Sequence, residues 1–135
     1  MSIMKWDPLK DLFFMEKHID KLINNSFKEK SYDWLPVVDV VENDNVIILY
    51  AELPGVSEND MEVNISDGIL SISGNKKVLS EDFENDDYMC KIESVSGRFC
   101  RTFAIPAAID TSSVKASLKD GILKIVLNKN IKNSY

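Results

Sequence analysis

The pattern Asp-Gly-Ile-Leu-x-Ile occurs twice in this chain, at 67–72 and at 120–125. Each copy stands between two runs of alternating apolar and polar residues. Before the first, Met61, Val63 and Ile65 alternate with Glu62, Asn64 and Ser66; after it comes Ile69-Leu70-Ser71-Ile72-Ser73. Around the second, Val114, Ala116 and Leu118 lead in, and Leu123, Ile125 and Leu127 lead out. A period of two places each apolar set on one face of a pleated strand. Asp-Gly between such runs predicts a two-residue hairpin, because a type I′ turn holds both central residues at positive φ. The spacing of the two copies and the lack of a third argue against a solenoid.

The rest of the chain after Trp34 also reads as strand. Pro36 opens a run through Val37, Val38, Val40 and Val41, and Glu42-Asn43-Asp44-Asn45 is a turn of residues that bond their own backbone. Residues 46–53 are apolar on both faces and so central in the fold, and Pro54-Gly55 stops them. In 99–105, Phe99, Arg101, Phe103 and Ile105 share one face. An arginine among three large apolar residues must reach a carboxylate, its own or another chain's, because its charge is permanent and costly to bury unpaired. Between Gly74 and Glu93 the pattern weakens: 80–87 is acidic with one aromatic, and 88–92 returns to strand character. A connection this long in a compact domain is usually functional, or builds structure outside its own sheet. Many short strands with Gly, Pro and Asp turns predict an all-β sandwich or barrel.

Residues 1–33 read as a separate arm. Asp7 can cap a helix with Pro8 at its first position. Leu9, Leu12, Phe13, Ile19, Leu22, Ile23 and Phe27 then recur at three- and four-residue steps, with Lys10, Lys17, Asp20 and Lys21 between them. That is an amphipathic, broken helix, ending near Asn24-Asn25-Ser26. Its apolar stripe either packs on the chain's own core or binds other chains.

The chain's 135 residues are enough for one domain, and 44% hydrophobic content supplies a core. A net charge of −6 without a basic tract argues against nucleic acid as a partner. The longest strong apolar run, 46–51, falls well short of the roughly 18 residues that a membrane span needs. The N-terminus lacks the apolar stretch of a signal peptide, and two cysteines suit a reducing compartment, so the cytoplasm is the expected location.

No active site emerges, and no enzyme activity, cofactor or metal is expected. The single histidine, His18, lies on the arm's helix, away from any nucleophile on a rigid scaffold. Cys90 and Cys100 lack metal-ligand spacing; Cys100 falls on the face opposite Arg101 and reads as a small packed residue. The acids of 81–87 lack the layout of a calcium loop and read as a solvated charge run. The five glycines are isolated, so no phosphate-binding loop exists.

Two motifs together carry a resemblance. Gly97-Arg98-Phe99-Cys100-Arg101-Thr102-Phe103-Ala104-Ile105-Pro106, followed by Ala116 through Gly121-Ile122-Leu123, resembles the small heat-shock protein (α-crystallin/Hsp20) family. That family carries G-x-F-x-R-x-F-x-[IL]-P and then A-x-x-x-x-G-[IV]-L. Pro36-Val37-Val38-Asp39-Val40-Val41-Glu42 is similar to its opening strand, and Leu53-Pro54-Gly55-Val56 with Asp60-Met61-Glu62-Val63 to its second motif. Leu70-Ser71-Ile72-Ser73-Gly74 and Glu93…Gly97-Arg98-Phe99 match two more. The likeness covers roughly residues 35–129, with a weaker one at Trp6-Asp7-Pro8 in the arm.

The resemblance implies an immunoglobulin-like β-sandwich, the α-crystallin domain, over 34–129, with the helical arm before it and a short tail at 130–135. It implies a homodimer in which the loop 75–91 reaches across to pair with the partner's first strand, 37–42. Val38, Val40, Phe83, Tyr88, Glu93 and Arg101 would then line the interface, with Glu93 and the acids of 81–87 as carboxylates within choice of Arg101. It further implies a groove between edge strands 61–66 and 114–119, lined by Val63, Ile65, Val114 and Ala116, that takes an I-x-I segment of a neighbour's tail. This chain departs there: Asn128-Lys129 stands where Pro-Lys is usual, and the tail carries one Ile. The groove is then either open or filled by the arm, and growth of the dimer into a larger homo-oligomer is left to other contacts.

The function so implied is that of an ATP-independent holdase chaperone for partly unfolded clients under heat or other stress. Leu9, Leu12, Phe13, Phe14, Ile19, Leu22, Ile23 and Phe27 of the arm would bind them. Hand-off to ATP-dependent chaperones follows from family analogy alone. Two other readings compete: a non-catalytic adaptor with one defined protein partner, and a membrane-surface protein that lays its arm on lipid.

Overall fold

A computed structural model of the protein describes residues 32–83 and 87–130, with Asp82 described in its backbone only. The helix expected in the arm and the tail beyond Asn130 lie outside the described residues. Seven strands run in chain order: β1 (Val38–Glu42), β2 (Val46–Glu52), β3 (Met61–Ser66), β4 (Ile69–Lys76), β5 (Gly97–Ala104), β6 (Lys115–Lys119) and β7 (Ile122–Asn128). They form a four-stranded sheet ordered β1-β2-β7-β6 and a three-stranded sheet ordered β3-β4-β5. Every pairing is antiparallel.

Both Asp-Gly hairpins form as read. Asp67 and Gly68 have φ of 53° and 76°, and Asp120 and Gly121 have 54° and 78°. The turn before β2 is closed by its own side chain: Asn43 Oδ1 accepts from the N–H of Asn45 (2.7 Å) and of Val46 (2.9 Å). The core lies between the sheets. Ile47, Leu49, Ala51 and Leu53 meet Leu123, Ile125 and Leu127 from one side, and Leu70, Ile72, Phe99 and Phe103 from the other.

The segment leading into β1 stitches the two sheets together along one side. Asp33 N–H donates to the Arg98 carbonyl (2.8 Å), and the Asp33 carboxylate accepts from Arg98 N–H (2.8 Å). Trp34 donates its indole N–H to the Gly97 carbonyl (3.0 Å) and tilts against Phe99, centroid to centroid 5.1 Å. The β1 edge of one sheet therefore stands over the β5 edge of the other. The remaining edges, β3 and β6, must share the opposite side.

At the far end of β7, Lys129 clasps the β1–β2 turn. Its N–H donates to the Asn45 carbonyl (2.9 Å) and its ammonium to the Asn43 carbonyl (2.7 Å). The same ammonium lies 2.5 Å from Glu42 Oε2, and the Glu42 side chain is only 7% exposed. A carboxylate so buried depends on that cation, although an 18% exposed lysine leaves water some access. We expect Lys129→Met to lower stability by about 2 kcal/mol, below the full penalty for orphaning a buried charge. Thermal melting checks this; an unchanged midpoint would show that Glu42 finds water instead.

Residues 88–92, which have strand composition and are expected to pair outside their own sheet, form no strand within the described chain, and 87–96 has no ladder partner there. A strand needs an edge to pair with, and this segment finds none in its own sheet.

Candidate functional site

The residues expected at a dimer interface fall into two places. Val38 and Val40 lie on the inner face of β1, half-buried against the core. β1 is an edge strand, paired with β2 alone among the described residues. Its outward residue Val41 is 48% exposed, and Val37, just ahead of it, is 58% exposed. Arg101, half-buried on β5, reaches the same side. Its Nη1 donates to the Pro36 carbonyl (2.7 Å), and its guanidinium stands 5.3 Å from the Phe103 ring centroid.

Phe83 and Tyr88 meet edge to face, with centroids 4.9 Å apart, and both rings are largely exposed. Beyond them, Met89 is fully exposed and Ile92 and Val95 are more than half exposed. Large apolar side chains seldom stand in water in such a series, and a series of them marks a surface that another molecule covers. Glu93 is exposed and lies 3.5 Å from Lys91, a surface pair worth little.

The second expected site lies across the sandwich, on the side of β3 and β6. Val63 and Ile65 point inward from β3 and are half-buried against the core, as is Val114, just before β6. Ala116 is exposed, and Leu118, expected on the same apolar face of the strand, packs inward two residues on. Among the described residues both strands are edges, each with one unpaired side. The eight apolar residues named in the arm lie outside the described residues.

Neither cysteine is in a disulfide among the described residues; Cys90 is exposed and Cys100 half-buried. Among the described residues no three His, Cys, Asp or Glu side chains gather as metal ligands do. No described helix is long and apolar enough to cross a membrane. The sequence reading missed Pro36 as a partner of Arg101. A backbone carbonyl has no residue type, so only the geometry reveals it.

Comparison with known proteins bears on this arrangement. Residues 39–135 match the Hsp20/alpha crystallin family. A 17.5 kDa class I heat shock protein of Glycine max is 32% identical over 129 residues, which cover 95% of this chain and 78% of that protein. Small heat shock protein C4 of Rickettsia felis is 33% identical over 124 residues, covering 84% and 75%. The crystal structure of a small heat-shock protein from Xylella fastidiosa superposes with a TM-score of 0.68 at 37% identity, over 76% of this chain and 93% of that one.

Proposed function

This chain belongs to the Hsp20/alpha crystallin family, and we propose that it acts as an ATP-independent holdase that keeps partly unfolded proteins from aggregating. The observation that carries the reading is the run of exposed apolar side chains beside unpaired strand edges. Partly unfolded clients expose the same two features, apolar surface and strand edges, and aggregate through them. A protein that covers those features lowers the free concentration of aggregating species by mass action, with no chemical step. The net charge of −6 keeps such complexes soluble. Two cysteines without a disulfide among the described residues suit the reducing cytoplasm.

The dimer we propose forms by strand exchange. Residues 87–96 carry strand composition without a strand, and β1 carries a strand edge without a neighbour. Pairing the segment of one copy with β1 of the other satisfies both, as β-augmentation does elsewhere. Arg101 supports this surface from beneath by holding the Pro36 carbonyl at the start of the edge. Arg101→Ala removes a charge-assisted hydrogen bond worth about 1.5–3 kcal/mol. The expected result is a shift of mass from dimer toward monomer, or a lower melting midpoint. Unchanged mass together with unchanged melting would sink the role given to Arg101.

The holdase reading is tested by light scattering from a heat-labile client in ATP-free buffer. Scattering should fall as the protein is added. If the folded protein leaves scattering unchanged across several clients, the adaptor reading takes its place, and a single stoichiometric partner should then appear in pull-downs from unstressed cells.

A further inference from the structure

The outward face of the four-stranded sheet ends in three lysines. Lys115 and Lys119 lie on β6 and pair in register with Val126 and Ile122, while Lys124 on β7 pairs with Ser117 between them. Their neighbours in the inner register, Ile125 and Leu123, are buried, so all three lysines face outward. Successive rows of one face are about 6.8 Å apart, so the three ammonium groups form a compact basic triangle. Among the described residues no carboxylate pairs with any of them; Lys124 rests 6.0 Å from the Tyr50 ring centroid. The acids that share this face, Asp39 and Glu52, lie on β1 and β2. Glu52 stands in the row of Lys119 two strands away and diagonal to Lys124 on the neighbouring strand, and Asp39 stands in the row of Lys124 two strands away, so neither acid lies directly across from a lysine. Beside the triangle runs an apolar row, Val41, Ile48 and Val126, which ends on Lys115.

A basic face on a chain of net charge −6 calls for an acidic partner, and the chain itself carries one. Glu81, Asp82, Glu84, Asp86 and Asp87 flank Phe83 in the sequence. Glu81 and Asp87 are exposed and have no cation beside them among the described residues, and Phe83 is 45% exposed. The stretch follows β4, in the three-stranded sheet, whereas the lysines face out from the other sheet.

We propose that the acidic stretch 81–87 of one copy docks on the Lys115–Lys119–Lys124 face of another. Carboxylates meet the lysines, and Phe83 lies on the apolar row. Two different surfaces meet, so the contact is heterologous and joins dimers into rings or chains. It leaves the β1, β3 and β6 edges free and shares only Asp87 with the exchanged segment 87–96, against which Phe83 packs through Tyr88.

The test is the mass of the full chain by light scattering at about 0.1 M and about 1 M NaCl, since the screening length falls from ~10 Å to ~3 Å between them. The expected result is mass above the dimer at low salt and the dimer alone at high salt. Lys115→Glu with Lys119→Glu should give the dimer at low salt, with at least tenfold weaker association and an unchanged melting midpoint. Adding Glu81→Lys and Asp87→Lys to that variant should restore the larger mass. A wild-type mass that ignores salt overturns the proposal, as does a lysine reversal that leaves the mass above the dimer, or a swap that fails to restore it. A dimer at every salt concentration overturns this contact and leaves the exchanged dimer standing; a monomer at every concentration overturns both. Retention of a constant dimer on heparin would assign the lysines to a polyanion instead.

Discussion

Gly74→Ala should lower the melting midpoint by more than about 12 °C, corresponding to a loss of at least about 3 kcal/mol. Gly74 pairs with Met61 on one side and Phe99 on the other, in the central strand of the three-stranded sheet. Its missing side chain would point inward, on the face of Leu70 and Ile72. A Cβ there would come within 2.3 Å of the Asp60 carbonyl oxygen, 2.8 Å of Phe99 Cζ and 2.9 Å of Met61 Cα. Two of these three atoms are backbone, and the third belongs to a ring held between Trp34 and the core. No rotamer change relieves such a clash, so β3 must move away from β4 or Phe99 must leave its place. Ordinary overpacking costs about 1–3 kcal/mol because side chains give way; here the backbone has to. Shrinking the ring with Phe99→Leu should rescue little, because the tightest approach is to Asp60. Thermal melting by circular dichroism reads the effect. A fall of less than about 3 °C would mean that β3 shifts freely, and the sheet would then be looser than its register suggests.

Gly74 also illustrates what a sequence conveys and what it withholds. The two hairpins were legible because Asp-Gly is one of few pairs that tolerate positive φ twice in succession, and alternation on both sides fixed the register. Phe99, Phe103 and the inward residues of β2 and β7 were legible for the same reason of period. Residues 88–92 have strand composition without a strand in the described chain, because composition reports what a segment can pair with and a single copy supplies no edge within its reach. The Pro36 carbonyl that Arg101 Nη1 reaches was not legible either: charge implies a need for a partner, and carbonyls, which have no residue type, are everywhere in the chain. The Glu42–Lys129 contact joins segments from opposite ends of the described chain at one end of the sheet, and nothing local in either segment foretells it. Ala116 follows the alternation but sits at an edge strand with too small a side chain to reach the core, so it is exposed. Local rules reach hairpins and faces; distant pairings and edges need the assembled sheets.

Removing residues 1–31 should abolish most of the suppression of client aggregation, raising the amount of protein needed for half-suppression at least tenfold. The cut must spare Asp33 and Trp34, whose hydrogen bonds to Gly97 and Arg98 tie the two sheets together. With those kept, the sandwich should melt close to the full chain and the dimer should persist, so a loss of suppression reports on clients alone. The expected size follows from the arm's eight large apolar residues, Leu9 to Phe27. Each contributes about 1.5–3 kcal/mol when fully buried, offset by the cost of ordering the arm. If three of the eight are engaged by a client at once, the gross gain of roughly 5–9 kcal/mol still exceeds the ~1.4 kcal/mol that makes a tenfold difference in binding. A full-length Phe13→Ser, Phe14→Ser, Phe27→Ser variant should reproduce most of the loss, which separates apolar contact from chain length. Undiminished suppression by the truncated chain would move client binding onto the sandwich itself. The exposed residues around Tyr88, Met89 and Ile92 would then serve clients as well as the partner copy, and suppression should weaken as rising protein concentration fills those edges with partner strands.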